Sequence, residues 1–270
     1  LLKTILKMKK INIKKLHTMK RENKKITALT AYDFSFAKLL SDAEIDIILV
    51  GDSLGNVIQG HKNTIPVTVA DICYHTKIVS KGTTSPMLMA DMPFLSYATL
   101  DKALENASAI MQSGAEMVKI EGGKWTANIT SELATRGIPI CCHLGLTPQY
   151  IHKIGSYSVQ GREEKIAKDI ITDALNLEQA GADLLILECV PTSLAAKITS
   201  QLAIPTIGIG AGKFTDGQVL VTHDILGLSQ LTPKFTKNFM SNSDSIAKAI
   251  ELFKESVRSG EFPDEESSFE

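Results

Sequence analysis

Eight short apolar runs recur along this chain, separated for the most part by stretches whose apolar residues repeat at about 3.6 positions. They are Ile26–Thr30, Asp46–Val50, Pro86–Ala90, Glu116–Ile120, Ile138–Cys142, Asp183–Leu187, Pro205–Gly208 and Gln218–Val221. Leu100–Ser113 and Lys165–Ala180 are examples of the helical stretches between them. Strands apolar throughout and separated by helices imply a parallel sheet covered on both faces. The junctions agree. Gly114 and Gly181 stand just past helical patterns, where a left-handed C-cap costs least. Pro139 and Pro205 stand at strand starts, where no ladder donor is needed. Eight such units in 270 residues favour a closed α/β (β/α)8 TIM barrel, with an open doubly wound sheet as the competitor.

The ends of the chain differ from its middle. Residues 1–25 are Lys-rich with Glu22 as the lone acid, and residues 261–270 carry acids and no base. Charge runs of this kind read as solvated segments. The expected organisation is therefore a basic N-terminal arm (1–25), one barrel domain with a C-terminal helix (26–260, the helix at Ser243–Ser259) and an acidic tail (261–270). Met8-Lys9-Lys10 looks like a natural start. A net charge of -1 argues against a nucleic-acid binder, whose footprint is strongly basic. No stretch approaches the roughly 20 apolar residues of a membrane span, and Leu1–Lys10 lacks the h-region of a signal peptide. Cys73, Cys141, Cys142 and Cys189 form no CxxC and read as reduced core thiols of a cytosolic protein.

Ionisable residues gather at the ends of the strands. Asp52 follows the second, Asp91 the third, Glu121 the fourth, His143 the fifth and Glu188 the sixth. A single acid there often caps a helix, but in a parallel barrel all these ends face one mouth, where barrel enzymes work. Converging carboxylates repel unless protonated or bridged by a cation, and an all-oxygen set suits Mg²⁺. Lys119 and Glu121 are two apart on one strand and share a face. They form either a buried ion pair or a cation that meets an anionic substrate. His61 and His223 lie in loops near the mouth and are candidates for supporting contacts, whereas His17, His75 and His152 read as surface or helix residues. The long segment His143–Gly161 has the length of a functional loop.

Two motifs point elsewhere. Gly51-Asp52-Ser53-Leu54-Gly55 matches the G-x-S-x-G nucleophile elbow, yet no HGGG-like oxyanion segment accompanies it. Gly208-Ile209-Gly210-Ala211-Gly212 lacks the third glycine of the dinucleotide fingerprint and reads as a tight turn or a phosphate-binding turn.

In order along the chain stand Thr30-Ala31-Tyr32-Asp33, Val50-Gly51-Asp52-Ser53-Leu54-Gly55, Gln59-Gly60-His61, Pro66-Val67-Thr68 and Ala90-Asp91-Met92-Pro93-Phe94. Val118-Lys119-Ile120-Glu121-Gly122-Gly123, His143-Leu144-Gly145-Leu146-Thr147-Pro148-Gln149, Leu187-Glu188-Cys189-Val190-Pro191, Ile207–Gly212 and His223-Asp224 follow. From about Ile26 to Met240 this series resembles the ketopantoate hydroxymethyltransferase family. The resemblance implies a barrel of the phosphoenolpyruvate mutase/isocitrate lyase kind. It implies transfer of a hydroxymethyl group from 5,10-methylenetetrahydrofolate to 3-methyl-2-oxobutanoate through a Mg-stabilised enolate, giving 2-dehydropantoate for pantothenate biosynthesis. It also implies a cytoplasmic homo-oligomer, often a decamer, with one Mg²⁺ per subunit. On it Asp52, Asp91 and Glu121 are the metal positions. Asp52, Ser53, Asp91 and Lys119 meet substrate. Glu188 is the general base, with Lys119 and His143 completing the catalytic set. Two departures stand out: Cys142, where relatives often carry Gly, and the Ser-containing loop 154–159, which leaves that loop's contacts open. A Mg²⁺-dependent 2-oxo acid lyase or mutase of the phosphoenolpyruvate mutase type, acting without folate, is the alternative.

Overall fold

The computed structural model describes residues 10–229 and 232–270. Its strands are β1 (Ile26–Thr30), β2 (Ile47–Val50), β3 (Met87–Asp91), β4 (Met117–Glu121), β5 (Ile140–Gly145), β6 (Leu184–Glu188), β7 (Thr206–Ile209) and β8 (Gly217–Leu220). They pair in parallel in sequence order, and β8 returns to β1 to close the barrel. The open-sheet alternative is thereby excluded. The helices are α1 (Ile13–Arg21), α2 (Phe34–Asp42), α3 (Leu54–Val57), α4 (Val69–Gly82), α5 (Leu100–Gln112), α6 (Ala127–Thr135), α7 (Ile151–Ile154), α8 (Glu164–Gln179), α9 (Thr192–Gln201), α10 (Thr222–Ile225) and α11 (Ile246–Ser259).

Period-two alternation sorts each strand between two cores. Leu29, Ile48, Val50, Leu88, Ala90, Val118, Ile120, Cys142, Leu185 and Leu187 face outward and pack under the helices. Ile26, Ala28, Ile47, Leu49, Met87, Met89, Met117, Cys141, Leu184, Ile186, Ile207 and Val219 face inward and fill the barrel. Burying one such aliphatic side chain contributes roughly 1.5–3 kcal/mol, so both layers are strongly held.

The basic N-terminal segment is not a solvated arm where the structure describes it; residues 1–9 lie outside the described residues. Asn12 caps α1 by accepting from Lys15 N. Leu16 and Met19, three apart, then share the face that joins the interior core. Ile11 N donates to Ser85 O ahead of β3, and Lys20 Nζ reaches Asp216 Oδ2 (2.8 Å) ahead of β8. The helix therefore plugs the N-terminal end of the barrel, with Lys14 and Lys15 exposed.

The acidic tail folds back as well. Phe262 is buried against Phe239 and Phe253, and Phe269 O accepts from Thr192 N. α11 starts later than expected because Ser245 caps it, and its buried stripe is Ala249, Ile250, Phe253 and Val257. β5 begins two residues later and ends three residues later than its apolar run suggests. Pro139 supplies only its carbonyl, to Val118 N, so the strand proper begins at Ile140 and carries His143 within it. The loop expected over His143–Gly161 accordingly begins later and contains a 3₁₀ turn, Pro148–Tyr150, and α7. All four cysteines are free, three of them buried. Among the described residues no helix is long and apolar enough to cross a membrane.

Candidate active site

The inward rows of four strands change character at their C-terminal ends. β3 runs Met87, Met89, Asp91; β4 runs Met117, Lys119, Glu121; β5 continues Cys141 with His143; β6 runs Leu184, Ile186, Glu188. Parallel register brings Asp91 beside Lys119 and Glu121 beside His143, while Glu188 pairs with Gly145. Asp52 joins from the turn after β2, where its backbone N–H donates to Asp91 Oδ2 (2.8 Å). Six residues foreseen at the mouth thus meet in one place.

Lys119 is the hub. Its Nζ lies 3.1 Å from Asp91 Oδ1 and 3.4 Å from Glu121 Oε1. His143 Nδ1 is 3.1 Å from Glu121 Oε1 and donates to that acceptor-only carboxylate. His143 Nε2 is 3.2 Å from Glu188 Oε2 but without the alignment of a hydrogen bond. Glu188 is the most solvent-accessible of the set.

Burial dominates the electrostatics. Asp52, Asp91, Lys119, Glu121 and His143 are all at most 5% exposed. Burial, followed by the charges of Asp91 and Glu121, pushes Asp52 well above the usual carboxylate range. Burial also raises Asp91, against the pull of Lys119. Glu121 goes the other way: burial is outweighed by Lys119 and His143, and its carboxyl falls to about 2. Burial and Lys119 disfavour the charged imidazole of His143, yet Glu121 and Glu188 prevail and raise it to about 9. The Lys119 ammonium and the His143 imidazole thus face three deep carboxylates, and burial of the excess negative charge favours proton uptake at Asp52 and Asp91.

Among the described residues no three His, Cys, Asp or Glu side chains stand in a metal-holding arrangement. The physical reason is visible: the Lys119 ammonium sits against Asp91 and Glu121, and the Gln149 amide holds Asp52. The donors nonetheless fit a hard divalent cation. Asp52, Asp91 and Glu121 offer only oxygen, and Asp91 Oδ1 is buried with the Lys119 ammonium, 3.1 Å away, as its ion-pair partner but no aligned hydrogen bond.

Ser53 Oγ is 2.8 Å from Tyr32 Oη. Its partner is a phenol and not an imidazole, so the elbow motif has no hydrolase partner here. His61 is exposed and only its backbone engages the loop. His223 packs its ring on Tyr32 and Phe36 and makes no bond to the carboxylates. Gly208 and Ile209 end β7, and the chain bends after them at Gly210 and Ala211; Gly212 has φ +71 and no room beside Thr192 for a Cβ.

Gln149 and Tyr97 escaped the sequence reading. Both are buried among these acids, and Gln149 N donates to Glu121 Oε2 (3.1 Å). Gln149 stood in the His143–Gln149 motif, but nothing local in the sequence says that this loop turns back over β4.

A closed parallel barrel with acids, an ammonium and an imidazole around its C-terminal mouth defines a barrel enzyme with a carboxylate-rich active centre. Residues 10–265 match the sequence model of ketopantoate hydroxymethyltransferase. The chain belongs to the ketopantoate hydroxymethyltransferase family. It is 56% identical to the 3-methyl-2-oxobutanoate hydroxymethyltransferase of Idiomarina loihiensis, over 96% of this chain and 98% of the relative. It is 53% identical to that of Buchnera aphidicola, over 97% of this chain and 100% of the relative. Among solved structures it is similar to phosphonopyruvate hydrolase complexed with oxalate and Mg²⁺ (TM-score 0.60, 11% identity, 78% of this chain and 80% of that one). It is also similar to 2,3-dimethylmalate lyase, a phosphoenolpyruvate mutase/isocitrate lyase superfamily member (TM-score 0.56, 14% identity, 77% and 80%). At those identities the likeness is one of fold.

Proposed function

We propose that this chain transfers a hydroxymethyl group from 5,10-methylenetetrahydrofolate to 3-methyl-2-oxobutanoate, giving 2-dehydropantoate for pantothenate biosynthesis. The observation that carries the reading is the inward row of Asp91, Lys119, Glu121, His143 and Glu188 at the mouth of a barrel from this family.

Asp52, Asp91 and Glu121 would hold one Mg²⁺, which when bound supplies a Lewis acid for the 2-oxo acid. Glu188, at the accessible rim, takes the proton from C3 of the substrate onto a carboxylate oxygen. His143, 3.2 Å behind it, steadies that carboxylate. The Lys119 ammonium stands beside the oxygen that gains negative charge, in a buried setting where such a charge acts strongly. Ser53, held by Tyr32, lines the substrate side of the Asp52 turn. One of the two carbon–nitrogen bonds of the bridging methylene opens, C3 bonds to that carbon, and water replaces the second nitrogen, so that the hydroxymethyl group stays on C3 and tetrahydrofolate leaves. Following the family's pattern, the working unit is a cytoplasmic homo-decamer, which light scattering would test.

The deciding test is exchange of the C3 proton of 3-methyl-2-oxobutanoate in D₂O, followed by NMR with and without Mg²⁺ and then with 5,10-methylenetetrahydrofolate. The expected result is Mg²⁺-dependent exchange and folate-dependent 2-dehydropantoate. Folded protein that gives neither overturns the substrate assignment and favours the folate-independent lyase or mutase chemistry.

A further inference from the structure

Behind the carboxylates lies a polar clamp that the proposed chemistry does not use directly. Gln149 is 2% exposed and satisfies its whole side chain there. Nε2 donates to Asp52 Oδ2 (2.9 Å) and to Met92 O (3.0 Å), and Oε1 accepts from Tyr97 Oη (2.8 Å). Its backbone N–H donates to Glu121 Oε2 (3.1 Å). One residue therefore touches acids from two strand ends, 97 and 28 positions away in the chain. Tyr97 completes the frame: its Oη lies 3.0 Å from Glu121 O and 3.1 Å from Glu121 N. The Tyr97 ring stacks on Trp125, with centroids 5.6 Å apart and an interplanar angle of 11°. Trp125 is the chain's single tryptophan and is partly exposed.

We propose that Gln149 and Tyr97 are positioning residues that fix the spacing of Asp52 and Glu121 for a divalent cation and transmit its binding to Trp125. The proposal rests on the reading of Asp52, Asp91 and Glu121 as the cation site. The physical case is geometric. A carboxylate that accepts from a fixed donor on one oxygen keeps the other oriented, and such partners outside the ligand set commonly change metal affinity 10–100-fold when removed. Gln149 can serve because an amide offers donor and acceptor at once, giving Nε2 to Asp52 while Oε1 receives the tyrosine proton. Tyr97→Phe removes the hydroxyl and keeps the stacked ring. Gln149→Met keeps the length of the side chain and the backbone N–H to Glu121 but removes the amide.

The experiment titrates Mg²⁺ into wild type, Gln149→Met, Tyr97→Phe and Asp52→Asn, reading heat by calorimetry and emission from Trp125. Thermal melts in EDTA report folding separately. The expected result is a Mg²⁺-dependent change of Trp125 emission in wild type. Kd should rise about 10-fold or more in Gln149→Met. In Tyr97→Phe the emission response should shrink while the EDTA-state melt shows a folded protein. A purely structural role would lower the melting temperature and leave Kd unchanged. Wild-type Kd in both clamp variants, with Asp52→Asn impaired, overturns the clamp alone. Indifference of wild type and Asp52→Asn to Mg²⁺ overturns the cation site and the clamp with it.

Discussion

The two ends of the barrel interior are built from the same strands and the same inward face, yet they are opposite in chemistry. At the N-terminal end Met87, Met117, Cys141 and Leu184 share one buried apolar cluster with Leu16 and Met19 of α1. Two to four positions further along, the same rows present Asp91, Lys119, Glu121, His143 and Glu188. The difference teaches how each end serves the other. An apolar floor, plugged by a helix, keeps water from the underside of the acids, which raises the energetic cost of leaving their charge unpaired. The polar crown then needs countercharges, and Lys119, His143 and the Gln149 amide provide them. The floor holds the fold by apolar packing, whereas the crown carries the reactive groups and is stable only while its buried charges stay paired.

The sharpest separation of the two comes from Glu188→Gln. Glu188 sits at the accessible edge of the crown and makes no aligned hydrogen bond to His143. C3 proton exchange should fall about 10²–10⁴-fold, the usual contribution of a general base. The melting temperature should move by no more than about 2 °C, as for substitutions off the core. Exchange at the wild-type rate would remove Glu188 from the role of base.

Lys119→Met should instead damage stability. The variant leaves Asp52, Asp91 and Glu121 buried without their ammonium, and breaking a buried ion pair typically costs about 3–5 kcal/mol. In EDTA the melting temperature should drop by roughly 10 °C, and Mg²⁺ should recover part of the loss. An unchanged melting temperature would mean that the acids take up protons at no cost, and the contrast between floor and crown would fail.

His143 offers a pH-resolved version of the same contrast. Its folded-state value, about 9, lies above its ordinary 6.5. The folded chain therefore holds the proton more tightly than the unfolded one. That stabilisation is fully present below pH 6.5 and is lost as pH rises through about 9. In EDTA, urea melts of wild type and His143→Gln should differ by an amount of order 1–3 kcal/mol at pH 6, with the gap closing by pH 9.5. A gap that stays constant with pH would show that His143 contributes by shape and not by charge.

Both the barrel and its mouth were legible in the sequence for a single reason: the inward row is written in period two. Met117-Val118-Lys119-Ile120-Glu121 gives the strand, its burial on both faces and the polar end of its inner face. Asp91 and Glu188 close their strands in the same way. What stayed hidden were long-range closures. The basic count of residues 1–25 masked Leu16 and Met19, because apolar residues scattered among lysines reveal a plug only when the surface they cover is known. Phe262 and Phe269 were likewise obscured by the acids around them. Tyr97 and Gln149 meet across 52 positions, and neither loop has a periodicity that could announce the contact.

The smallest expected effect is the most specific test of the floor. Met117 lies on the inner face two residues below Lys119 and is fully buried. Met117→Leu conserves volume and polarity, and such swaps usually cost less than about 1.5 kcal/mol. Methionine fills irregular space through its flexible thioether, so the branched leucine must be taken up by small shifts of Met87, Met89 and Cys141 around it. If the floor acts only as packing and as a barrier to water, the melting temperature should move by no more than about 5 °C. The rate of C3 exchange should stay within about twofold, since a shift too small to alter the charge pairs leaves the barrier essentially unchanged. A tenfold loss of exchange in a protein that melts like wild type would show that the floor also sets where Lys119 stands. The boundary between the two ends of the barrel would then lie one inward residue lower than the change from Met117 to Lys119 suggests.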